Sequence, residues 1–495
     1  MENSYQKFAK DVLIIGIANA LVALSGIILL PLITKTLGAH DYGIWAQVQV
    51  TINLALGFVG LGLPYAMTRF LPAKTNREEI QEEFYSVLCL VFFATLLVSV
   101  VLIAAAGFIA GVFFDGAVDI VRITGLIIMV WSLDTVFVTL FRAFRQMKRY
   151  ALFIIVNTYV QIGLIAYLVL NGHGILSIVL AVLAIRVIIL LVLFFLIKSQ
   201  IGIKRPHFHR IREYLSFGLP TVPSLVSAWV VASSDRYVIG YFLGAASVGI
   251  YSAGYNMGSI AFMLAGVLSV VLSPALSKLY DEGRMEEVKT HLRYSLKYLL
   301  AVTIPFVFGA AVLAEPVLRI FSTARIAGEG YLVVPLVALS ALFLCIQIVV
   351  VHILVLVKKM RIHAAIWGVS ALVNLLLNMA VVPRLGIFGA AITTLIAYAL
   401  ALGLTTYYGF KEFRFTRYPG ASIICYIDIS CATVAGKVPV INGTFVSEVL
   451  SYFSVGLDRT SVFQTASFGF ETFARILHSQ AGRTNRRTTL VETIF

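Results

Sequence analysis

The sequence predicts an all-α polytopic membrane protein, with about twelve transmembrane helices in two parallel six-helix repeats around a central cavity. Composition is the first reason. Hydrophobic residues make up 60% of the chain, charged residues 13%, and mean hydropathy is +0.94, which excludes an ordinary soluble globule. Length is the second: apolar stretches of about 20 residues recur, each able to cross a hydrocarbon core about 30 Å thick as a helix. Strands of a membrane barrel are shorter and alternate polar with apolar residues, and these stretches do not. An internal repeat is the third. Leu37-Gly38-Ala39 with Gly43-Ile44-Trp45 returns 206 residues later as Leu243-Gly244-Ala245 with Gly249-Ile250-Tyr251. Met147-Lys148 with Ala151 is echoed by Met360-Arg361 with Ala364, and Gly174-Ile175 by Gly386-Ile387. Repeats in the same order imply two equivalent halves, 1–200 and 201–415, and such symmetry is the usual architecture of membrane transporters.

The first apolar stretch, 12–33, follows Lys7 and Lys10 as a secretory signal would. It is longer than a usual signal core and lacks an obvious small-residue cleavage site, so it reads as an uncleaved first helix. Spans at 44–66, 84–106, 120–141, 151–170 and 175–197 complete the first half, and 198–214 connects it to the second. The seventh span, 215–242, is interrupted by Gly218, Pro220 and Pro223. Proline removes a backbone donor and kinks a helix, so these three residues read as a hinge, with a static packing kink as the other reading. Spans at 250–273, 295–314, 331–357, 364–382 and 388–408 follow. Between the eighth and ninth, 274–294 carries Glu286, Glu287, Lys289 and Arg293 and reads as a solvated amphipathic helix. From residue 416 the sustained apolar runs stop, and 18 of the last 80 residues are Ser or Thr. Within this atypical tail, 416–495, only 420–435 could form one weak extra span, and it contains Asp428.

A net charge of +14 could suggest nucleic acid, but its placement argues otherwise. With a cytoplasmic N-terminus, the inner loops collect 24 Lys and Arg and the outer loops 5, namely Lys35, Arg236, Arg319, Arg325 and Arg384. That bias fixes orientation by the positive-inside rule, with some attraction to anionic lipid, and implies no nucleic-acid partner. Outer loops reach only about sixteen residues, which leaves no room for a separate catalytic domain. Four cysteines, Cys89 and Cys345 inside helices, give no disulfide framework or metal-ligand spacing. His207 and His209 have no further ligands near them in sequence, and no Walker loop or Gly-x-Ser-x-Gly elbow occurs. The expectation is a protein without metal or cofactor, which does not hydrolyse ATP itself.

Arg186 is the sharpest single signal. It lies midway along 175–197, roughly 16 Å from either interface at 1.5 Å per residue, too deep to snorkel. A charge at that depth must face a partner or a watery cavity. It is expected to face the cavity between the halves and contact a phosphate, since guanidinium matches phosphate geometry. A buried ion pair with Asp134, itself a candidate coupling group, is the alternative. Asp235 and Arg236 lie in the outer third of the seventh span, with Tyr237 and Tyr241, then Tyr251 and Tyr255, at helical spacing. The charges could bind substrate while the tyrosines stack on sugar rings; the competing reading is an interfacial aromatic belt with a locally compensated pair. Arg69, near the inner end of the second span, is a phosphate contact or a topogenic charge. Amides at Asn19, Asn53, Asn157, Gln161, Asn256, Gln347, Asn374 and Asn378 line a cavity or bond between helices.

Phe217-Gly218-Leu219-Pro220, then Asp235-Arg236, then Leu243-Gly244 and Val248-Gly249-Ile250-Tyr251-Ser252 resemble the polysaccharide-transporter family of lipid-linked oligosaccharide flippases. Leu37-Gly38 with Tyr42-Gly43 looks like that family's N-terminal signature, and the resemblance covers roughly residues 5–415. Its superfamily also holds lipid II flippases and multidrug and toxin extrusion transporters. Members have twelve or fourteen helices, and the tail here supplies no clear thirteenth and fourteenth pair. The resemblance implies a flippase or exporter in polysaccharide biosynthesis, not an enzyme. It would move a polyprenyl-(pyro)phosphate-linked oligosaccharide from the inner to the outer leaflet of the cell membrane by alternating access. Its partners would be the lipid-linked glycan, membrane lipids, glycosyltransferases and a glycan polymerase. A multidrug or organic-cation antiporter of the same superfamily is the alternative, although Asp134 and Asp235 are few for an acidic cavity. A membrane-embedded glycan polymerase or ligase is disfavoured by the short outer loops.

Overall fold

Long runs of Leu, Ile, Val, Ala and Phe fold as helix because, inside a bilayer, each backbone N–H and C=O must find its partner within the segment. The computed structural model describes residues 4–412 apart from Thr75, with the side chains of 14–411 apart from 75, 264–271 and 274. The side chains of Lys7 and Lys10, and everything from 413 onward, lie outside the described residues, including Arg414, Arg417, the tail 416–495 and its candidate span 420–435. The described residues form α1 (Ser4–Val59), α2 (Leu63–Phe70), α3 (Arg77–Ala104), α4 (Ala106–Phe113), α5 (Val118–Ala143), α6 (Met147–Leu170) and α7 (Ile175–Ile201). They continue as α8 (Ile211–Gly218), α9 (Val222–Gly258), α10 (Phe262–Asp281), α11 (Met285–Phe321), α12 (Ala324–Gly330), α13 (Val333–Leu356) and α14 (Met360–Glu412). Among the described residues nine helices are long and apolar enough to cross a membrane, and none of those residues is in a strand.

Three of those helices are each two helices joined at one glycine: α1 at Gly38 (φ 85°), α9 at Gly244 (φ 77°) and α14 at Gly386 (φ 63°). The sequence spacing predicts loops of several residues at all three places. A left-handed backbone is open to glycine at little steric cost, so the chain turns within a single residue and both flanking arms remain helical. The stretch 274–294 also differs from the expected separate amphipathic helix. The eighth span runs on to Asp281, turns at Gly283 (φ 74°), and α11 begins at Met285. Glu286 and Glu287 then occupy the first turn of α11, where the helix dipole favours acids. The seventh span does break where proline predicts, as α8, a 3-10 turn at Leu219–Thr221, and α9.

The end of the bundle that holds Gly38 and Gly244 is the turn face; the opposite end, which holds 201–211, is the linker face. On the turn face the two repeat copies touch each other. A Cβ on Gly43 would overlap the Ala245 carbonyl oxygen, and a Cβ on Gly249 would overlap the Ala39 carbonyl oxygen. The contact is therefore reciprocal, and it is made by backbone. Asp115 supports it from the α4–α5 connection, accepting from the Ala245 N–H at 3.0 Å and lying 3.3 Å from His40 Nε2. Around it one apolar cluster joins Leu30, Ile44, Trp45 and Ile52 of α1 to Ile250 and Met257 of α9 and Leu318 of α11.

A Gly249→Ala variant should lose about 1–3 kcal/mol, the usual cost of overpacking a close contact. Gly163→Ala on α6, where a Cβ meets nothing within 4 Å, should be neutral or stabilising. Thermal midpoints of the two variants in detergent measure the difference, and equal midpoints would refute a tight contact.

Candidate functional site

Turning at Gly244 lays the two arms of α9 side by side, and Asp235 on the first meets Tyr251 on the second. The Asp235 side chain is fully buried, with the Arg236 guanidinium 3.1 Å from its Oδ1. The Arg236 backbone N–H donates to the same oxygen at 2.8 Å, the Tyr251 hydroxyl donates to Oδ2, and the Thr394 hydroxyl approaches Oδ2 at 3.4 Å. Arg236 also donates to the Ala232 carbonyl at 3.0 Å, and its guanidinium carbon lies 4.2 Å from the Tyr255 ring centroid. One charge of each sign is thus enclosed with hydrogen bonds to both, the arrangement under which a buried pair is tolerated. An amide and hydroxyl ladder continues beside it. Ser234 donates to Asn374 at 3.3 Å, Asn378 donates to Asn374 at 3.1 Å, and Thr393 donates to Asn378 at 2.7 Å.

Helix α1 reaches into this cluster from across the repeat contact. Gln47 donates to the Arg236 carbonyl at 2.8 Å, Thr51 and the Tyr237 hydroxyl are 2.6 Å apart, and Asn256 donates to the Tyr42 hydroxyl at 2.8 Å. The structure brings Asp235, Arg236, Tyr237 and Tyr255 together, with Asp235, Arg236 and Tyr255 buried and Tyr237 half-buried. Arg236, counted with the outer loops, is instead a buried helical residue. Tyr251 and Tyr255 are likewise buried, and only Tyr241, 57% exposed, keeps the position of an interfacial belt. Sequence reasoning missed Gln47, Thr51 and Thr394. Tyr42, at least, sits within the repeated motif, which could have flagged it.

A second cluster lies among α5, α6 and α7. The expectation that Arg186 faces a cavity between the halves is corrected here. Its guanidinium lies 3.9 Å from Asp134, both side chains are at most 6% exposed, and Gln161 accepts a hydrogen bond at 3.5 Å. The guanidinium carbon lies 3.3 Å from the Trp131 ring centroid, a cation–π contact. Helical geometry explains the enclosure: Trp131 and Asp134 are three residues apart on one face of α5, and α7 packs against that face. Neither carboxylate oxygen of Asp134 receives a hydrogen bond among the described residues, so this pair is held more loosely than the first.

Arg69 stands apart from both clusters, exposed in the last turn of α2 on the linker face beside the exposed Tyr65. Gly218, Pro220 and Pro223 lie at the break between α8 and α9, with both prolines exposed. Among the described residues no three His, Cys, Asp or Glu side chains converge on a possible metal position.

Replacing Arg236 alone by Met leaves Asp235 buried without its counter-ion and should cost about 3–5 kcal/mol. Replacing both, D235N with R236M, should recover part of that loss in thermal unfolding. A double variant as unstable as the sum of the two singles would show that the pair does not act as a unit.

Comparison with known proteins places the chain in a family. The chain is 21% identical over 211 residues to the probable low-salt glycan biosynthesis flippase Agl15 of Haloferax volcanii, covering 43% of this chain and 44% of that protein. It is 26% identical over 168 residues to the probable flippase AglR of the same organism, covering 34% of this chain and 35% of that one. The matched stretch therefore spans less than half the length of either relative. Two solved structures share the fold. An inward-facing multidrug resistance MATE transporter superposes with a TM-score of 0.69 at 15% identity, over 80% of this chain and 96% of its own. The lipid II flippase MurJ in an inward closed conformation superposes with a TM-score of 0.68 at 18% identity, over 91% and 99%. A sequence model of polysaccharide biosynthesis proteins matches residues 32–328, and the chain belongs to that family.

Proposed function

We propose that this chain moves a polyprenyl-(pyro)phosphate-linked oligosaccharide from the inner to the outer leaflet of the cell membrane by alternating access of two six-helix halves. The observation that carries the reading is the reciprocal contact of the two repeat copies, in a chain of the polysaccharide biosynthesis family. Like halves that meet through bare backbone part at that seam by breaking the side-chain bonds that Gln47, Thr51 and Asn256 make across it. Dividing α1, α9 and α14 at their glycines supports twelve spans, and the bias of Lys and Arg supports a cytoplasmic N-terminus.

The head group of such a substrate is anionic and polar, while its tail is hydrocarbon. Arg69, exposed on the linker face, is the guanidinium best offered to the phosphate, whose geometry it matches with two parallel N–H donors. Arg186 and Arg236, each closed in a buried pair, hold helices together. Arg186 fastens α7 to α5, and the Asp235–Arg236 cluster with Tyr237 and Tyr255 fastens α9 to α14 and to α1. The substrate leaves chemically unchanged. Glycosyltransferases that build it and a polymerase that consumes it are the expected neighbours in the pathway.

Deleting the protein should strand intact lipid-linked oligosaccharide on the cytoplasmic leaflet and abolish surface polysaccharide. Arg69→Ala should lower export while leaving abundance unchanged; a lost charge-assisted hydrogen bond of about 1.5–3 kcal/mol corresponds to roughly tenfold or more in affinity. Arg186→Ala should instead lower abundance. Truncated glycans in the deletion strain would point to a polymerase or ligase. Unchanged glycans with heightened sensitivity to cationic drugs would point to a multidrug antiporter.

A further inference from the structure

We infer that residues 202–218 belong mechanically to the N-terminal half, and that the two moving bodies are jointed at the 3-10 turn Leu219–Thr221, within the seventh span. The inference rests on the alternating-access reading above and on the hinge expected at Gly218, Pro220 and Pro223; it adds that the connection 202–218, which the sequence boundary at residue 200 assigned to the second half, travels with the first.

Polar bonds strap the connection to α3. The first turns of α3 present Glu78, Glu79, Glu82 and Glu83 as one acidic stripe. Lys204 Nζ lies 2.8 Å from Glu78 and 2.9 Å from Glu82, and these two carboxylates hold its ammonium above the usual lysine range, so it is charged at neutral pH. Arg210 lies 3.5 Å from Glu83, and the Tyr214 hydroxyl donates to Glu83 at 2.5 Å. Backbone groups of the connection are held as well. Arg77 donates to the Ile201 carbonyl at 3.2 Å, Tyr85 donates to the Gly202 carbonyl at 2.8 Å, and the His207 N–H donates to Ser86 Oγ at 2.8 Å. Gln81 also donates to the Ile201 carbonyl. An exposed ion pair alone contributes little. Here the set ends on Glu83, whose side chain is 8% exposed and also lies 3.0 Å from Lys74, so the connection carries groups that a buried charge needs.

Apolar packing assigns the same residues to the same body. Ile211, Tyr214 and Leu215 pack into a cluster of Leu63 and Met67 of α2, Phe84 of α3 and Phe137 of α5. Phe70 lies 5.2 Å from the Tyr214 ring and 5.4 Å from the Phe217 ring. A Cβ on Gly218 would come 2.7 Å from the Leu61 carbonyl oxygen, so α8 ends with its backbone against the turn between α1 and α2. Ten residues further on the packing is with the other half: Ala228, Val230 and Val231 join Trp367, Ala371, Ala397 and Tyr398 of α14. Between these two sets stand Pro220 and Pro223, neither of which can donate a helical hydrogen bond, and the 3-10 turn. The allegiance of the chain changes where its helix is weakest.

The test uses pairs of spin labels, attached through an unnatural amino acid at the exposed positions Arg145 (N-terminal half), Arg212 (strap) and Glu282 (C-terminal half), in the full chain in lipid nanodiscs. Distances are measured by pulsed electron paramagnetic resonance in the wild type and in Gly249→Ala, which wedges the turn-face contact, with Gly43→Ala as the second wedge if the first does not accumulate. The proposal expects the 145–282 and 212–282 distances to shift together and the 145–212 distance to stay fixed. Adding E78Q, E79Q and E82Q should then broaden the 145–212 distribution. A shifting 145–212 distance with a fixed 212–282 distance would overturn it, because the strap would travel with the C-terminal half. No shift in any pair would overturn it too, since there would be no joint at the turn. The readout needs no substrate, so a protein that moves this way yet exports no glycan defeats the functional reading alone.

Discussion

Much of this structure depends on two helices approaching until their backbones touch. At Gly43 and Gly249 any side chain would strike a carbonyl oxygen of the other repeat copy, so the approach exists only while both positions lack a Cβ. That closeness brings Gln47 within 2.8 Å of the Arg236 carbonyl and Thr51 within 2.6 Å of the Tyr237 hydroxyl. Were the arms held apart by a methyl group, these bonds across the seam would be the first lost, and the buried Asp235 cluster would lose its support from α1. The apolar cluster around the seam draws on the same approach, since it joins residues of α1 to residues of α9 and α11.

The two buried ion pairs are built to different standards. Asp235 receives the Arg236 guanidinium, a backbone N–H and two hydroxyls, so the desolvation of its charge is offset by near-complete hydrogen bonding. Asp134 has a guanidinium at 3.9 Å and no hydrogen-bond donor among the described residues. A saturated network fixes one geometry, whereas a loosely held pair tolerates small displacements of its helices. The first pair accordingly anchors the crossing of α9 with α14, and the second lets α7 settle against α5 with Trp131 as its main partner.

The class of the fold was legible in the sequence because length and apolarity are properties of single segments. The break at Gly218, Pro220 and Pro223 was legible for a like reason, since the chemistry of proline acts locally. Contacts between segments were much less so. Whether Arg186 met a phosphate or Asp134, the two readings that the sequence left open, depended on which faces of α5 and α7 meet. Arg236 was misplaced for a related reason: its cover, Tyr251 and Tyr255, arrives only after the chain has turned at Gly244. That turn was itself hidden, because a single left-handed glycine does the work of the predicted loop. The carboxylates of α3 drew no reading from the sequence, and their contacts appear only once Lys204, Arg210 and Tyr214 fold back onto them.

Two like halves meeting at the glycine seam are proposed to carry a lipid-linked head group across the bilayer. The most direct measurement is translocation by purified protein in liposomes, with a short polyprenyl-pyrophosphate-linked sugar in one leaflet and its arrival in the other followed by a membrane-impermeant modifying enzyme. Transfer is expected with wild-type protein, little transfer when Gly43 and Gly249 are both replaced by Ala, and a chemically intact product. Equal transfer by liposomes without protein, or undiminished transfer by the doubly substituted protein, would contradict it.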